Sequence, residues 1–293
     1  MVLDEAPRSW VSIWSEAMSG SMEVVLVKLG GSLITDKRRP ETARNEVIER
    51  LARELEELDR QEVRLVLGHG SGSFGHVAAA RHGIQHGVGT PEQLLGVTET
   101  QDQAATLHRL VIGALRRQGV PAFSLAPSSF LVAADGMPAD LWIESLQEAL
   151  RIGMLPVVYG DVVMDRELGA SIASTETVLL ALAERLLSCG VVVRRSVWLG
   201  ETDGIYDEKG ATIEELQHGS IADVLEQLEG ASGTDVTGGM RHRLETAASL
   251  AALGVESWIA NGLEPGLLKH ILEGGGFKGT KVRAAASDLL SET

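Results

Sequence analysis

The chain has 293 residues, 44% of them hydrophobic, a formal net charge of −15 and a pI of about 5.0. It is long enough to bury a full core and too apolar to be disordered. The acidic balance argues against general binding to nucleic acid or to an anionic membrane, and no apolar run approaches the roughly 18 residues that span a bilayer. An anionic small-molecule substrate is still compatible with this charge, because a few lysines and backbone N–H groups can make a local positive site.

Residues 1–21 are interpreted as an N-terminal extension outside the fold, and residues 22–293 as one domain. The extension contains tryptophans and acidic residues but lacks the basic start and apolar stretch of a signal peptide. Cys189 is the single cysteine, so no intramolecular disulfide can form, which favours a reducing compartment and a cytoplasmic location. We expect Cys189 to be buried near the end of a helix.

Strand and helix patterns alternate from residue 23 onward. Aliphatic runs predict buried strands at 24–27, 63–67, 120–125, 155–163, 191–199 and 255–260. Apolar residues at helical spacing predict helices at 45–58, 91–118, 139–152, 174–187, 237–253 and 267–272. This alternation predicts an α/β fold with a mainly parallel sheet covered on both faces, and an active site beyond the carboxyl ends of its strands. The polar, turn-rich segment 200–233 is interpreted as an excursion over a nucleotide site.

The first candidate site follows the first strand, where Lys28 precedes Gly30, Gly31 and Ser32. Two glycines allow the backbone to approach a phosphate closely, and their N–H groups can bind its oxygens. Lys28 would place an ammonium beside them, and Lys37 stands on the following loop. An ordinary glycine turn with surface lysines explains this segment about equally well when it is taken alone.

The second candidate site is the segment GHGSGSFGH at 68–76, at the end of the second strand. Four glycines in nine residues exceed what a short connection needs, so we expect this backbone to wrap around a second phosphate. His76 is predicted to stand where a following helix begins. A lone histidine is more often a surface or capping residue, but its place beside this loop favours a role in the site.

The third candidate site is the segment DVTGGM at 235–240, which opens a predicted helix with Thr237 as a plausible N-cap. A capped helix with a flexible entry is the simpler interpretation. A helix N-terminus with glycines, followed by Arg241 and Arg243, is also a ready anion site. None of the three segments is a Walker A loop, and together they indicate two phosphate-bearing ligands that face each other.

The order of VKLGGSLITDK, GHGSGSFGH, YGDVV, TDGIYD and DVTGGM resembles the amino acid kinase superfamily over residues 23–283. This resemblance implies a single three-layer αβα sandwich with a central, mainly parallel sheet, usually homodimeric, that transfers the γ-phosphoryl group of ATP. The histidine that closes GSFGH and the second lysine of GGSLITDK resemble the subgroup of isopentenyl phosphate kinases and the related fosfomycin kinases. The resemblance therefore implies an isopentenyl phosphate kinase with Mg²⁺–ATP as co-substrate and no metal site of its own.

The resemblance also implies a role for each matching residue. Lys28 and Lys37 would act on the transferring phosphoryl group together with His76. The acceptor phosphate would lie among Ser71, Gly72, His76 and Gly160. The residues on the ATP side would be Lys28, Gly30, Gly31, Ser32, Gly72, Asp203, Gly239 and Arg243.

Three positions depart from the family pattern. Ser71 replaces the middle glycine of HGGGSFGH, and Arg243 replaces the lysine of GGMxxK, which keeps the charge but is not a free exchange. Glu176 replaces the aspartate of SGD and is a possible organiser of the lysines. These departures bear on rate and nucleotide affinity more than on the class of reaction.

A phosphate acceptor needs no general base, because its second pKa is about 6 and its oxygen is already charged at neutral pH. We therefore expect His76 to donate a hydrogen bond to the acceptor phosphate. The tail of the acceptor is expected in an apolar pocket, for which Ile84, Leu94, Val97 and Ile112 are candidates, although residues of this kind more often belong to the plain core. Two alternatives stay open: a kinase for another phosphate or phosphonate such as fosfomycin, and an ATP-binding regulatory protein that has lost catalysis.

Overall fold

The structure is a computed structural model that describes residues 22–58, 63–230 and 237–285. The predictions for residues 1–21, and for Asp235 and Val236, lie outside these described residues.

Within the described residues, twelve strands form two sheets. In chain order they are β1 (Glu23–Leu29), β2 (Arg64–His69), β3 (Ala122–Ser124), β4 (Leu131–Ala134), β5 (Met137–Leu141), β6 (Leu155–Tyr159), β7 (Asp161–Asp165), β8 (Gly169–Ala173), β9 (Val192–Gly200), β10 (Glu215–Leu216), β11 (Glu256–Asn261) and β12 (Gly279–Val282). The larger sheet has the order β10-β12-β11-β9-β1-β2-β6-β3, and every neighbouring pair in it is parallel except β11 and β12. The central, mainly parallel sheet is therefore confirmed.

A second sheet, with the order β5-β4-β7-β8, was not predicted. The predicted strand 155–163 is wrong as one element, because Gly160 divides it into β6 in the large sheet and β7 in the small one. The predicted start of a helix at 139 is also wrong, since β5 occupies Met137–Leu141 and the helix begins only at Glu144. Pairing with β4 stabilises β5, which the helical spacing of a few apolar residues could not reveal.

Nine helices lie within the described residues. They are α1 (Gly31–Ile34), α2 (Asn45–Glu56), α3 (Gly72–His82), α4 (Pro91–Arg117), α5 (Glu144–Arg151), α6 (Thr175–Ser188), α7 (Ile221–Gly230), α8 (Thr237–Ala252) and α9 (Leu267–Leu272). The predicted helices at 45–58, 91–118, 174–187, 237–253 and 267–272 are confirmed within one or two residues. The segment 200–233 is only partly an irregular excursion, because it contains β10 and α7.

The buried apolar residues form two main clusters, one on each face of the large sheet. Val24 and Leu26 of β1 belong to one cluster, with residues of α5, α6, α7 and α8. Val25 and Val27, which point the opposite way, belong to the other, with residues of α2, α4 and α9. A strand that is buried on both faces explains the continuous aliphatic run at its centre, and the arrangement confirms the three-layer sandwich.

The carboxyl ends of β1, β2, β6 and β9 lie along one edge of the large sheet, because these strands run parallel. β2 pairs with one side of β1 and β9 with the other, so the chain changes direction at β1. Ligands of open α/β sheets bind in the crevice at such a point.

Two further expectations can be compared with the fold. Cys189 is exposed rather than buried, because it follows the last residue of α6 as its C-cap. Among the described residues, no helix combines the length and apolar character needed to cross a membrane.

Candidate active site

The first two glycine turns pack directly against each other at the carboxyl ends of β1 and β2. A Cβ atom added to Gly31 would lie 2.7 Å from the backbone N of Gly72, and one added to Gly70 would lie 2.7 Å from the N of Gly31. Gly72 also has a positive φ of +53°, which favours glycine. The surplus of glycine in GHGSGSFGH is therefore required by the contact between the two turns as well as by any ligand.

Thr35 ties the two turns together and was missed by the sequence analysis. Its hydroxyl donates to the carbonyl of Gly31 at 2.7 Å and accepts from the N–H of Ser73 at 3.0 Å, and the residue is fully buried. A threonine within GGSLITDK carries no signal that separates this role from that of an ordinary strand or loop residue.

A buried cluster of charges lies beneath these turns. Lys28 at the end of β1, Glu176 in the first turn of α6 and Arg243 on α8 are each less than 10% exposed. The ammonium of Lys28 donates to a carboxylate oxygen of Glu176. The cluster thus holds two cations and one anion, which leaves it net positive where a phosphate would bind.

The pKa values in this cluster follow from burial and from the neighbouring charges. Burial lowers the pKa of Lys28, the carboxylate of Glu176 opposes that shift, and the positive charge of Arg243 adds to it. Burial alone would raise the pKa of Glu176, but the charges of Lys28 and Arg243 outweigh burial and hold this pKa below its usual range. The carboxylate of Glu176 is therefore ionised in the folded protein.

The guanidinium of Arg243 faces the crevice between β1 and β9. A Cβ atom added to Gly200 would lie 3.0 Å from its Nη1, and one added to Gly30 would lie 3.8 Å from its Nη2. Within the described residues, its buried Nε has no hydrogen-bond partner. A buried polar group without a partner is costly, so this guanidinium is placed for an anionic ligand.

Lys37 stands on a loop above the cluster. The loop is closed by an antiparallel bridge between Thr35 and Ala43 and is attached to α3, where the carbonyl of Ser73 accepts from the N–H of Glu41 at 3.2 Å. The side chain of Lys37 is exposed, and in the part of the chain that the structure describes it makes no salt bridge. Lys37 is therefore available to a ligand. Burial is the largest cause of the lowered pKa of Lys28, and the positive charge of Lys37 adds to that shift.

His76 lies in the second turn of α3, not at its start as predicted. Helix α3 begins at Gly72, because the glycine-rich loop itself forms its first turn, with the carbonyl of Ser71 accepting from the N–H of Phe74 at 3.1 Å. The Nδ1 of His76 lies 2.9 Å from the carbonyl oxygen of Gly72 and 3.2 Å from the hydroxyl of Ser71. A carbonyl can only accept, so Nδ1 carries the hydrogen, and Nε2 has no partner among the described residues.

A cavity of about 210 Å³ lies beside His76. Its walls are mostly small apolar groups of α3, α4, β7 and β8. The residues that line it are Ser71, Gly75, His76, Ala79, Ala80, Gln85, Thr100, Ala104, Gly160, Asp161, Val162 and Ile172. The four pocket residues considered from the sequence are not in this lining. Ile84 belongs instead to a small core cluster, and Leu94 is 61% exposed.

Gly160 and Asp161 also line this cavity. The N–H of Gly160 donates to the carbonyl of His69 at 3.1 Å, and the hydroxyl of Thr175 donates to the same carbonyl at 2.7 Å. Asp161 is buried and accepts from the N–H of Ser128 at 3.2 Å, and burial raises its pKa. Neither Thr175 nor Asp161 was singled out in the sequence, although both lie inside or next to motifs that were.

Asp203 lies away from the charge cluster, beyond the end of β9. It forms an ion pair with Lys278 and accepts from the side chain of Asn261 at 3.3 Å, at the wall of a cavity of about 730 Å³ that Tyr206 and Phe277 also line. Ser32 lies in α1, directly after Gly31.

Gly239 lies in the first turn of α8, at the same end of that helix as Arg243. It is exposed, and an added Cβ atom would meet nothing within 4 Å. The structure thus brings Lys28, Arg243 and the two glycine turns together, and it shows no contact between Gly239 and these groups.

Comparisons with known proteins agree with this architecture. The model of the amino acid kinase family matches residues 23–261. Isopentenyl phosphate kinase of Methanothermobacter thermautotrophicus is 35% identical over 269 residues, covering 88% of this chain and 98% of the relative. Isopentenyl phosphate kinase of Methanocaldococcus jannaschii is 31% identical over 231 residues, which is 76% of this chain and 85% of the relative.

A solved structure points the same way. An isopentenyl phosphate kinase studied by X-ray crystallography superimposes with a TM-score of 0.74 and 30% sequence identity, covering 88% of this chain and 99% of the other. A family match over most of the chain and a shared fold at this level of identity lead to one conclusion: this chain belongs to the amino acid kinase family.

Proposed function

We propose that this chain is an isopentenyl phosphate kinase, which transfers the γ-phosphoryl group of ATP to isopentenyl phosphate and releases isopentenyl diphosphate and ADP. One observation supports this most directly: an apolar cavity lies beside His76 and the glycine turns, next to a buried, net positive cluster of charges. The cavity suits a short hydrocarbon tail, and the adjoining turns and cations suit two phosphate groups. The curated relatives that carry this name match most of the chain.

Phosphoryl transfer is catalysed mainly by positioning and by stabilisation of charge. The acceptor oxygen of a phosphate monoester is already ionised at neutral pH, so the site needs no general base. Lys28 and Arg243 would bind the phosphates of ATP from below, and the N–H groups of the glycine turns would bind them from the side. Lys37, on its exposed loop, would reach the transferring phosphoryl group from above.

Mg²⁺ would enter with ATP. Among the described residues, no group of three or more His, Cys, Asp or Glu side chains is arranged to hold a metal ion. An ion that is held mainly by the nucleotide phosphates and water, as is usual for Mg²⁺ in kinases, does not need such a group. When bound, the ion would neutralise charge on the β- and γ-phosphates.

The lining of the cavity favours a prenyl phosphate over fosfomycin. A cavity of about 150 Å³ holds a six-carbon ring, so 210 Å³ is large enough for a five-carbon tail. The wall groups beyond His76 are mainly those of Ala79, Ala80, Ala104 and Val162, which offer few partners to a small polar epoxide. Glu176 and Arg243 depart from the family pattern, but they lie together in the buried cluster of charges. These two departures therefore give no reason to infer that catalysis has been lost.

The experiment that tests this function is a coupled ADP-release assay with Mg–ATP and four acceptors: isopentenyl phosphate, dimethylallyl phosphate, fosfomycin and acetylglutamate. We expect turnover of the prenyl phosphates alone. Turnover of fosfomycin alone would replace the proposed acceptor, and ATP binding without any turnover would favour the regulatory alternative.

A matched variant tests the cavity itself. Ala80 lines it but is exposed, so Ala80→Phe fills the space without overpacking the core. We expect the KM for isopentenyl phosphate to rise at least about tenfold with the KM for ATP unchanged, since lost apolar burial is worth about 1.5–3 kcal/mol for a side chain of this size. An unchanged KM for isopentenyl phosphate would place the tail elsewhere.

A homodimer in the cytoplasm is also part of this proposal, on the strength of the family resemblance alone. Light scattering coupled to size-exclusion chromatography measures the mass of the assembly, and twice the chain mass of 31.2 kDa is the expected result.

A further inference from the structure

A chain of hydrogen bonds runs from the second glycine turn into the core, and the proposed mechanism makes no use of it. The Nδ1 of His69 lies 3.2 Å from the carbonyl oxygen of Gly70, and its Nε2 lies 2.9 Å from the Nδ1 of His108. The Nε2 of His108 lies 2.8 Å from the hydroxyl of Ser124. Both imidazoles are less than 5% exposed and stack against the ring of Tyr159.

The carbonyl of Gly70 sets the direction of the whole chain. It can only accept, so the Nδ1 of His69 carries a hydrogen and the Nε2 of a neutral His69 must accept. His108 therefore donates through Nδ1 and accepts at Nε2 from the hydroxyl of Ser124. Burial lowers the pKa of His69 to about 4 and that of His108 to about 3, so both rings are neutral at physiological pH.

This chain fixes the peptide group that joins Gly70 to Ser71. In a trans peptide, C=O and N–H point in opposite directions. A Gly70 carbonyl held by the buried His69 therefore aims the N–H of Ser71 away from the core. Within the described residues, neither Ser71 nor Gly72 has an acceptor for its N–H, while the N–H of Ser73 is bonded to Thr35.

We infer that His69, whose Nδ1 donates to the Gly70 carbonyl and whose Nε2 accepts from His108, is a positioning residue for phosphoryl transfer: it orients the Gly70–Ser71 peptide so that the N–H of Ser71 faces the phosphate, in the turn that also carries the N–H of Gly72. This inference rests on the proposed function, because the phosphate is that of the acceptor or of the transferring group. Glycine is conformationally permissive, and the buried imidazole adds a restraint on the Gly70–Ser71 peptide to those that Thr35 and the packing against Gly31 already supply.

The expected effect is on kcat rather than on KM. Hydrogen-bond donors that are aimed at developing charge act mostly in the transition state, and loss of one such donor can cost about 100-fold or more in kcat. His69 acts through the backbone and not by direct contact, so we expect a smaller loss, about tenfold. A purely structural role would lower stability without changing kcat per folded enzyme.

Two isosteric variants of His69 separate these roles. In His69→Asn, the amide nitrogen occupies the place of Nδ1 and can still donate to the Gly70 carbonyl. In His69→Gln, the amide reaches the place of Nε2, so it keeps the contact with His108 and loses the one with Gly70. We expect kcat with Mg–ATP and isopentenyl phosphate to stay within about threefold of the parent for Asn and to fall about tenfold or more for Gln, with both KM values little changed.

A second measurement does not require turnover or a particular acceptor. In ¹⁵N-labelled protein, the amide signals of Ser71 and Gly72 should shift on addition of inorganic phosphate in the parent and in His69→Asn, and much less in His69→Gln. Imidazole ¹⁵N shifts of the parent should also show His69 and His108 as neutral rings protonated at Nδ1. This protonation state is measurable even if a variant does not fold.

The outcomes distinguish the inference from the proposed function. Equal kcat values for Asn and Gln after correction for folded enzyme, or a parent His69 protonated at Nε2, would overturn the positioning role. A parent protein that shows these amide shifts but does not phosphorylate isopentenyl phosphate would overturn the proposed acceptor and leave the positioning role supported.

Discussion

His76 lines the cavity of about 210 Å³ and has one ring nitrogen left for a ligand, which decides which substitution can replace it. Its Nδ1 is bonded to the carbonyl of Gly72, so Nε2 is the atom available to the acceptor phosphate. Because Nδ1 already carries a hydrogen, donation from Nε2 requires the doubly protonated ring. The prediction that His76 donates to the acceptor phosphate therefore implies that the bound ring is an imidazolium.

We expect His76→Ala to lose most activity and His76→Gln to retain more of it than His76→Asn. The glutamine amide reaches the place of Nε2, whereas the asparagine amide reaches only that of Nδ1. The measurement is kcat/KM for isopentenyl phosphate in the parent and in each of the three variants. Equal losses in Gln and Asn would contradict a role for Nε2.

Glu176 is the only carboxylate that balances Lys28 and Arg243 in the charge cluster as the structure describes it. In Glu176→Gln, two buried cations would lie together without an anion, and the loss of one partner of a buried pair costs about 3 kcal/mol. We expect the thermal midpoint of Glu176→Gln to be lower than that of the parent in the absence of nucleotide. Addition of Mg–ATP, whose phosphates are anionic, should raise the midpoint of the variant more than it raises that of the parent.

Glu176→Asp is the matched control, because it keeps the charge and shortens the reach to Lys28 by one methylene. It should lie between the parent and Glu176→Gln in stability without nucleotide. Differential scanning fluorimetry with and without Mg–ATP measures both effects. If the ATP-induced shift were the same in the parent and in Glu176→Gln, the carboxylate would not be the counter-charge of the cluster.

Individual residues also show where sequence reasoning ends. Lys28, Gly31 and His76 could be selected because glycine-rich motifs mark them. Thr35 and His69 could not be selected, because their roles depend on which backbone groups lie next to them once the two glycine turns have folded. The first histidine of GHGSGSFGH is the last residue of β2, and only its buried bond to His108 indicates a role beyond that of an ordinary strand residue.

At the scale of elements, Asp165 fixes the tip of the small sheet. Its carboxylate accepts from the backbone N–H groups of Asp135, Gly136, Glu167 and Leu168 at 2.8 to 3.1 Å, and the residue is 5% exposed. Burial alone would raise the pKa of Asp165, but the hydrogen bonds from the N–H groups of Leu168, Glu167 and Gly136 outweigh it and hold this pKa well below its usual value. A carboxylate with four donors joins two turns that would otherwise be independent.

We expect Asp165→Asn to lower the free energy of unfolding by about 2 kcal/mol, because an amide offers one acceptor and places an NH₂ against N–H donors. The folded pKa lies below the unfolded one, so the contribution of Asp165 is complete above pH 3.8, declines progressively below it and is lost as the pH falls through the folded value. Urea unfolding of parent and variant from pH 7 to pH 2.5 measures this. A difference that stayed constant down to pH 2.5 would contradict the ionised role.

The small sheet is also the part of the fold that the sequence did not predict. β4, β5, β7 and β8 have only four or five residues each, and β5 reads MPADL, which lacks the composition of a strand. The buried run that continues through Gly160 looked like one strand because both halves are apolar. Only the pairing of each half with a different sheet divides it, and pairing is not a local property of the sequence.

At the scale of the whole molecule, the fold could be predicted because the same sequence pattern, a buried strand followed by an amphipathic helix, recurs along the chain. Strands buried on both faces give continuous aliphatic runs, amphipathic helices alternate with them, and the two clusters of the core require both. The order of the strands, and with it the crevice at β1 where Lys28 and Arg243 meet, could be expected only through the family resemblance.

The boundary of the domain at residue 22 is a prediction that the whole chain can test. The family match begins at residue 23, and the carbonyl of Met22 accepts from the N–H of Val192 at 2.9 Å, so Met22 belongs to the sheet. We expect a chain that starts at Met22 to keep kcat/KM within twofold and its thermal midpoint within about 2 °C of the full-length protein.

A chain that starts at Val25 is the matched control. It removes Val24, which is fully buried and pairs with Arg64 on one side and Val193 on the other. Because β1 is central to the sheet, this loss of one buried side chain and its strand pairing should lower stability by several kcal/mol. If the chain that starts at Met22 were destabilised as much as this control, residues 1–21 would be part of the folded domain.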